Sequence, residues 1–298
     1  MRGLNLLPFV VLTDVMRQPS TRTAGSMATA MEKAGGSAQV FSGMEASSES
    51  KGESIPDSWV ALAAQSDIIG TRTAEEYGPA LAAQSINDAY DRGGLWQRVP
   101  VTNLGDGKNE HPTQDLGDKL TIYNKFGGFE GLTAVVVGAH GEYRAHHSFL
   151  LGANILGIKV IAVESEASPV PEEIVETLGS SLKRVGAGEL DEVLPEANVL
   201  YMGRMPDEYT DPEKPEEVER SRKLLEDYEQ WIIDYDRMQK MQYTAIELHP
   251  RPRRKELHPS VDADHRAHDE IQMSNMIPMR MAIIARHMGK SFNRDGRI

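Results

Sequence analysis

The chain has 298 residues, 40% of them hydrophobic and 26% charged, a composition of folded domains with room for two cores of about 150 residues each. Its formal net charge of −13 argues against broad nucleic-acid binding, which needs a basic footprint. Zero cysteines rule out disulfides and thiol catalysis and fit a reducing, cytoplasmic setting, while the lack of any apolar run near ~18 residues, or of a cleavage pattern after 4–12, leaves no membrane partner and no signal peptide expected.

Short apolar runs alternate with amphipathic helical patterns, the signature of a parallel α/β sheet. A strand at 9–12 gives way to an Ala- and Met-rich helical pattern at 24–34, and the junction carries Ser20-Thr21-Arg22-Thr23. Such a junction is a ready anion site. First-turn N–H groups lack acceptors within the helix, hydroxyls add donors, and the helix dipole favours negative charge. Arg22 brings a fork of donors matched to phosphate oxygens. A strand at 38–41 precedes a Ser- and Gly-rich segment holding Lys51, which reads as a mobile loop. A helix at 57–65, a strand at 68–69 leading to Arg72, a helix at 76–84 and a strand at 99–103 follow. That last strand runs into Gly105-Asp106-Gly107-Lys108-Asn109-Glu110-His111-Pro112-Thr113-Gln114; His111 there is either a reactive group or a satisfied structural residue. The glycine-rich segment 124–131 reads as a hinge. Beyond it lie a strand at 134–138, a helix at 145–156, strands at 159–163 and 199–202, and a last helix at 273–288. The fold class is α/β, with two domains, 1–124 and 125–272, each a mainly parallel sheet flanked by helices.

Taken together, Ser20-Thr21-Arg22-Thr23 and Gly105-Asp106-Gly107 to His111-Pro112-Thr113-Gln114 resemble the signature of the aspartate/ornithine carbamoyltransferase family, in its aspartate branch. The likeness continues in order through Ser47-Ser48-Glu49-Ser50-Lys51-Gly52-Glu53-Ser54, Arg72, Val135-Val136-Val137-Gly138 and Tyr143-Arg144 with His147-Ser148. It closes with Tyr201-Met202-Gly203-Arg204, His249-Pro250-Arg251-Pro252-Arg253, Val261-Asp262, Arg266-Ala267 and Arg280-Met281-Ala282. The resemblance implies a carbamoyl-phosphate-binding first domain, an aspartate-binding second domain, and a C-terminal helix (273–298) packing back on the first. It implies transfer of the carbamoyl group of carbamoyl phosphate to the amino group of L-aspartate, giving N-carbamoyl-L-aspartate and phosphate for pyrimidine biosynthesis, with no cofactor and no metal.

The site residues implied follow from the same likeness. Arg72, His111, Thr23 and Lys51 are the catalytic set. Ser20, Thr21, Arg22, Thr23, Ser47, Lys51, Arg72, His111, Gln114, Arg251 and Pro252 bind carbamoyl phosphate. Lys51, Arg144 and Arg204 bind aspartate, two guanidinium groups suiting a dicarboxylate. Family members form homotrimers in which Ser47 and Lys51 reach the neighbouring subunit's site; regulatory chains are left open.

Four departures bear on the acceptor and on assembly. Pro206 stands where the family has a Gln that helps bind aspartate, and it offers no N–H. Arg251 replaces a Leu and is expected to add positive charge near both ligands. The acidic stretch 206–242 is a solvated helix face or a lid over the amino substrate. Only nineteen residues precede Ser20, so a helix usual before the first strand is missing, and Met281, Ile283 and Ile284 are expected to be exposed or covered by an oligomer contact. Two alternatives stay open: a paralogous carbamoyltransferase with another amino acceptor, and a non-catalytic subunit on the same fold.

Overall fold

The computed structural model describes residues 4–43, 48–205 and 211–290. The chain divides into two compact units, 1–113 with 276–298, and 114–275. The first holds strands β1 (Val11–Met16), β2 (Ser37–Ser42), β3 (Ile68–Thr73) and β4 (Val101–Asp106) with helices α1 (Thr21–Ala34), α2 (Ile55–Ala63) and α3 (Gly78–Asp91). Helix α4 (Pro112–Phe126) leads into the second unit. There β5 (Thr133–Gly138), α5 (Arg144–Ile155), β6 (Lys159–Glu164), α6 (Glu172–Leu178), β7 (Leu182–Gly186), α7 (Leu190–Val193) and β8 (Val199–Met202) alternate. They are followed by α8 (Pro215–Gln230), α9 (Tyr235–Met238), β9 (Ile246–Leu248) and α10 (Asp269–His287).

Each sheet is wholly parallel among the described residues, ordered β2-β1-β3-β4 in the first unit and β7-β6-β5-β8-β9 in the second. Strands covered on both faces need apolar side chains on both, as in the run Ala134-Val135-Val136-Val137. In the first unit Leu12, Ile68 and Leu104 pack with Met27, Met31, Met281 and Ile284, while Val15 and Ile69 pack with Trp59 and Ile86. Two clusters likewise sandwich the second sheet, one around Val135, Leu200 and Trp231 and one around Val136, Phe149 and Tyr201.

Several expectations change. The first strand begins at Val11, because Phe9 has φ +68° and is exposed, a backbone that cannot enter a ladder. It runs on through Thr13 and Asp14, both fully buried, since pairing on both sides outweighs their polar character. Strands β7 and β9 and helix α4 were not expected: β7 is an edge strand with exposed Lys183 and Arg184, and β9 is three residues long. Met281 and Ile284 are buried rather than exposed. The segment from Leu4 does the covering, tied down by Leu4 N–H to Lys33 O (2.6 Å) and Leu6 N–H to Ala34 O (2.8 Å), with Leu6 and Leu7 in the same core.

The acidic stretch forms α8, whose outer face carries ion pairs such as Arg222 with Glu219 and Glu226. Its inner face buries Leu224 and Tyr228 in the second unit's core. Asp207, Glu208 and Pro206 lie outside the described residues, as does Ser47. No described helix is long and apolar enough to cross a membrane.

Candidate active site

In the first unit the chain lays β2 on one side of β1 and then crosses to place β3 on the other. The crevice at the carboxyl ends of β1 and β3 is where open α/β sheets take ligands. Ser20-Thr21-Arg22-Thr23 opens α1 at this point. Ser20 is the N-cap, extended at φ −159°, its Oγ accepting the Thr23 N–H at 3.4 Å and donating to Thr23 Oγ1 at 2.9 Å. Thr21 and Arg22 are exposed, and their N–H groups belong to the turn where the helix supplies no acceptor. Arg280, from α10, donates Nη1 to the Thr23 carbonyl at 3.2 Å. Burial pulls the Arg280 pKa down to about 10, with nearby Asp14 opposing it.

Arg72 stands opposite Met16 near the end of β3, across the same crevice. Its Nε donates to Gln18 Oε1 at 3.1 Å, and its carbonyl accepts the Gln18 N–H at 3.1 Å, so Gln18 joins Arg72 to the segment leading into α1. Lys51 ends a short 3-10 turn (Ser48–Lys51) and is exposed. His111 is buried and directly precedes Pro112, the first residue of α4. The turn that delivers it is organised by Asp106, a role not foreseen from the motif. Asp106 Oδ1 accepts from Asn103 Nδ2 (2.8 Å) and Glu110 N–H (3.2 Å), while Oδ2 accepts from Tyr77 N–H (2.9 Å) and Asn109 Nδ2 (2.9 Å). Gly105 and Gly107, at φ +118° and +52°, give the flanking backbone its left-handed turns.

The second sheet has its own reversal of order, between β5 and β8. Arg144 begins α5 after the loop that leaves β5, and Arg204 lies two residues beyond β8, so both candidate cations follow the strands that flank this switch point. Arg144 is buried. The Arg204 guanidinium donates to the Met205 carbonyl at 3.0 Å and lies 5.9 Å from the Tyr143 ring centroid. Tyr228 of α8 ties the two loops: its hydroxyl donates to the Arg204 carbonyl at 2.8 Å and accepts the Ala139 N–H at 3.2 Å. Arg220 of α8 pairs with buried Glu142, so the acidic segment is anchored to the β5 loop.

His146 fills the space between the two loops. Its ring packs against Tyr143, His140 and Tyr201, with centroids 4.9, 4.8 and 5.7 Å away. Burial pushes its imidazole well below the ordinary pKa, so it is neutral, and neither ring nitrogen has a hydrogen-bond partner. A Cβ at Gly203 would overlap His146 Nε2, so the packed ring accounts for glycine before Arg204. Gly203→Ala is expected to lower stability by about 1–3 kcal/mol through overpacking. Thermal melting checks this; Gly203→Ala combined with His146→Ala should recover most of the loss, and full additivity of the two losses would count against the clash.

The closing motif departs from expectation at Arg251. Its guanidinium pairs with buried Asp269, and its N–H donates to His249 Nδ1 at 2.8 Å, so the added charge is neutralised within the second unit. His249 Nδ1 is thus an acceptor, which leaves Nε2 to donate to Glu256 Oε1 at 3.1 Å. Pro252 follows Arg251 through a cis peptide bond. Gln114 lies in the first turn of α4 and donates Nε2 to Asp118 Oδ1 at 2.8 Å. Burial pushes the Asp118 carboxyl up to about 7, against the donors that surround it.

Glu247, in β9, is fully buried, and neither carboxylate oxygen is hydrogen-bonded. Burial raises its pKa well above the ordinary value, with Asp269 adding to the rise and Arg251 opposing it. The fold therefore holds a proton that the unfolded chain loses above about pH 4.3, so this group's contribution to stability falls as pH rises from there. Glu247→Gln, neutral at every pH, should melt higher than the parent by a margin larger at pH 8 than at pH 5. An equal margin at both would remove the explanation.

Residues 5–124 match the family described as aspartate/ornithine carbamoyltransferase, carbamoyl-P binding domain, and residues 130–286 match its Asp/Orn binding domain. The chain is similar to the aspartate carbamoyltransferase catalytic subunit of Archaeoglobus fulgidus, with 32% identity over 287 residues, 96% of this chain and 89% of that protein. It is also similar to aspartate transcarbamoylase from Trypanosoma cruzi in complex with carbamoyl aspartate and phosphate. That likeness has a TM-score of 0.85 and 31% identity, covering 95% of this chain and 85% of the other. The same Trypanosoma cruzi protein in complex with aspartate and phosphate gives a TM-score of 0.85 at 31% identity, covering 95% and 86%.

Proposed function

The chain belongs to the aspartate/ornithine carbamoyltransferase family, and we propose that it transfers the carbamoyl group of carbamoyl phosphate to the amino group of L-aspartate. The observation that carries this reading is that each unit has a switch point with its own cation-bearing set of residues, Ser20-Thr21-Arg22-Thr23 with Arg72 in the first and Arg144 with Arg204 in the second. The first suits a phosphate and the second a dicarboxylate. Relatives named as aspartate carbamoyltransferases, and solved relatives that hold aspartate or carbamoyl aspartate, support the same substrates.

In this reading the α1 N-terminus, Thr23 and Arg22 hold the phosphate. Arg72 and His111 donate to the carbonyl oxygen, and Gln114 with the Arg251–Pro252 segment receives the carbamoyl amide. The aspartate nitrogen attacks the carbonyl carbon; its bond forms as the carbon–oxygen bond to phosphate breaks, and the departing phosphate takes the amine proton. Charge builds on the carbonyl oxygen, so preorganised donors there supply much of the rate. Arg144 takes one carboxylate of aspartate and Arg204 the other. Lys51, with Ser47, completes a neighbouring subunit's site in a cytoplasmic homotrimer, a claim tested by molecular mass in solution. Arg251, one reason to consider a different acceptor, is committed to Asp269.

The test is phosphate release from carbamoyl phosphate with and without L-aspartate, alongside detection of N-carbamoyl-L-aspartate. Aspartate-dependent release with product formed supports the proposal. A folded protein that binds carbamoyl phosphate but ignores aspartate overturns it.

A further inference from the structure

Asp118 has no exposed surface and lies one helical turn from Gln114 on α4. Its carboxylate collects donors from three elements of the second unit. Gln114 Nε2 reaches Oδ1 at 2.8 Å, and Gln272 Nε2, from α10, reaches the same oxygen at 2.6 Å. The Tyr201 hydroxyl, from β8, donates to Oδ2 at 2.7 Å. Gln272 then spends its amide oxygen on the backbone N–H of His249, at 2.9 Å, where the His249-Pro250-Arg251-Pro252 turn begins.

An amide side chain has two unlike faces, an NH2 that donates and an oxygen that accepts, whereas the Asp118 oxygens accept from all three partners. Asp118 therefore dictates which way round both glutamines lie: each turns its NH2 inward and its oxygen away. For Gln272 that oxygen meets the His249 N–H. For Gln114 it becomes an acceptor in the first turn of α4, three residues after His111. The carbamoyl group ends in an NH2 that donates and does not accept, so an acceptor there is what recognition requires.

We propose that Asp118 is a positioning residue for carbamoyl recognition, fixing the Gln114 amide with its oxygen toward the carbamoyl NH2 and, through Gln272, holding the His249–Arg251 turn. The inference rests on Gln114 being a carbamoyl contact. Tyr201 places the hub on the strand that also delivers Arg204.

Acetyl phosphate separates this role from a merely structural one, because it keeps the phosphate and carbonyl but replaces the NH2 with a methyl group. The full chain is compared with Asp118→Leu, Asp118→Asn, Gln114→Ala and the Gln114→Ala/Asp118→Leu double variant. The readouts are KM for carbamoyl phosphate at saturating aspartate and the competitive inhibition constant of acetyl phosphate. Losing one oriented hydrogen bond predicts that Asp118→Leu raises the carbamoyl phosphate KM about tenfold and leaves acetyl phosphate within about twofold. Asp118→Asn, which keeps an acceptor oxygen for both glutamines and a donor for the Tyr201 oxygen, should restore KM to within about threefold of the parent. On the Gln114→Ala background, Asp118→Leu should add nothing. Equal weakening of both phosphates by Asp118→Leu, or full additivity in the double variant, overturns the inference while Gln114→Ala still discriminates between them. If Gln114→Ala itself fails to discriminate, the underlying contact falls instead, and the inference with it. Asp118→Ser, which leaves room for a water, carries the same comparison if Asp118→Leu does not fold.

Discussion

Arg72→Ala is expected to lower kcat about 10²- to 10³-fold, the range seen when one donor to a developing oxyanion is removed. The reason is its place near the end of β3, opposite Met16 and held by Gln18 through both its Nε and its carbonyl. A guanidinium fixed before substrate arrives costs little reorganisation when charge builds on the carbonyl oxygen. Arg72→Lys should recover only a small part, because an ammonium lacks the planar fork. Steady-state turnover at saturating carbamoyl phosphate and aspartate, on protein shown to melt like the parent, checks the point. A kcat within threefold of the parent would remove Arg72 from the chemistry.

Arg204→Ala should raise KM for L-aspartate about 10²- to 10³-fold while leaving KM for carbamoyl phosphate nearly unchanged, since truncating one partner of a buried charge pair costs roughly 2–5 kcal/mol. Its carbonyl is pinned by Tyr228 and its guanidinium bonds Met205, so the side chain leaves the β8 end in a defined direction. Initial-rate measurements across both substrate concentrations decide it. Equal loss for both substrates would mean that the variant disturbs the fold near β8 rather than one carboxylate contact.

Much of this was legible along the chain because it depends on neighbours in sequence. The start of α1, the candidate anion site, needs only a strand end, an N-capping Ser20 and first-turn hydroxyls. The apolar run at β5 announces a strand buried on both faces. Legibility failed where polar residues sit in central strands, as with Thr13 and Asp14 of β1, whose burial follows from partners more than twenty residues away. It failed again at β9, where Glu247 interrupts the apolar run of a three-residue strand.

The role of Arg251 could not be read in the same way. By residue type it is an extra cation beside the ligands; folded, it is half of an ion pair with Asp269. Asp118 lies just past the Gly105–Gln114 motif, and its role is invisible along the chain because its donors Tyr201 and Gln272 lie 83 and 154 residues away.

The sequence by itself determined the fold class, the family and the N-capped turn at Ser20, because caps, periodicity and short motifs are set by adjacent residues and by fixed backbone geometry. Only the tertiary structure decided which charges are neutralised, which way the buried amides face and what covers Met281 and Ile284. Those outcomes depend on burial and on partners from distant strands and helices, and inside a protein a polar group takes its character from whatever the fold places within hydrogen-bonding reach.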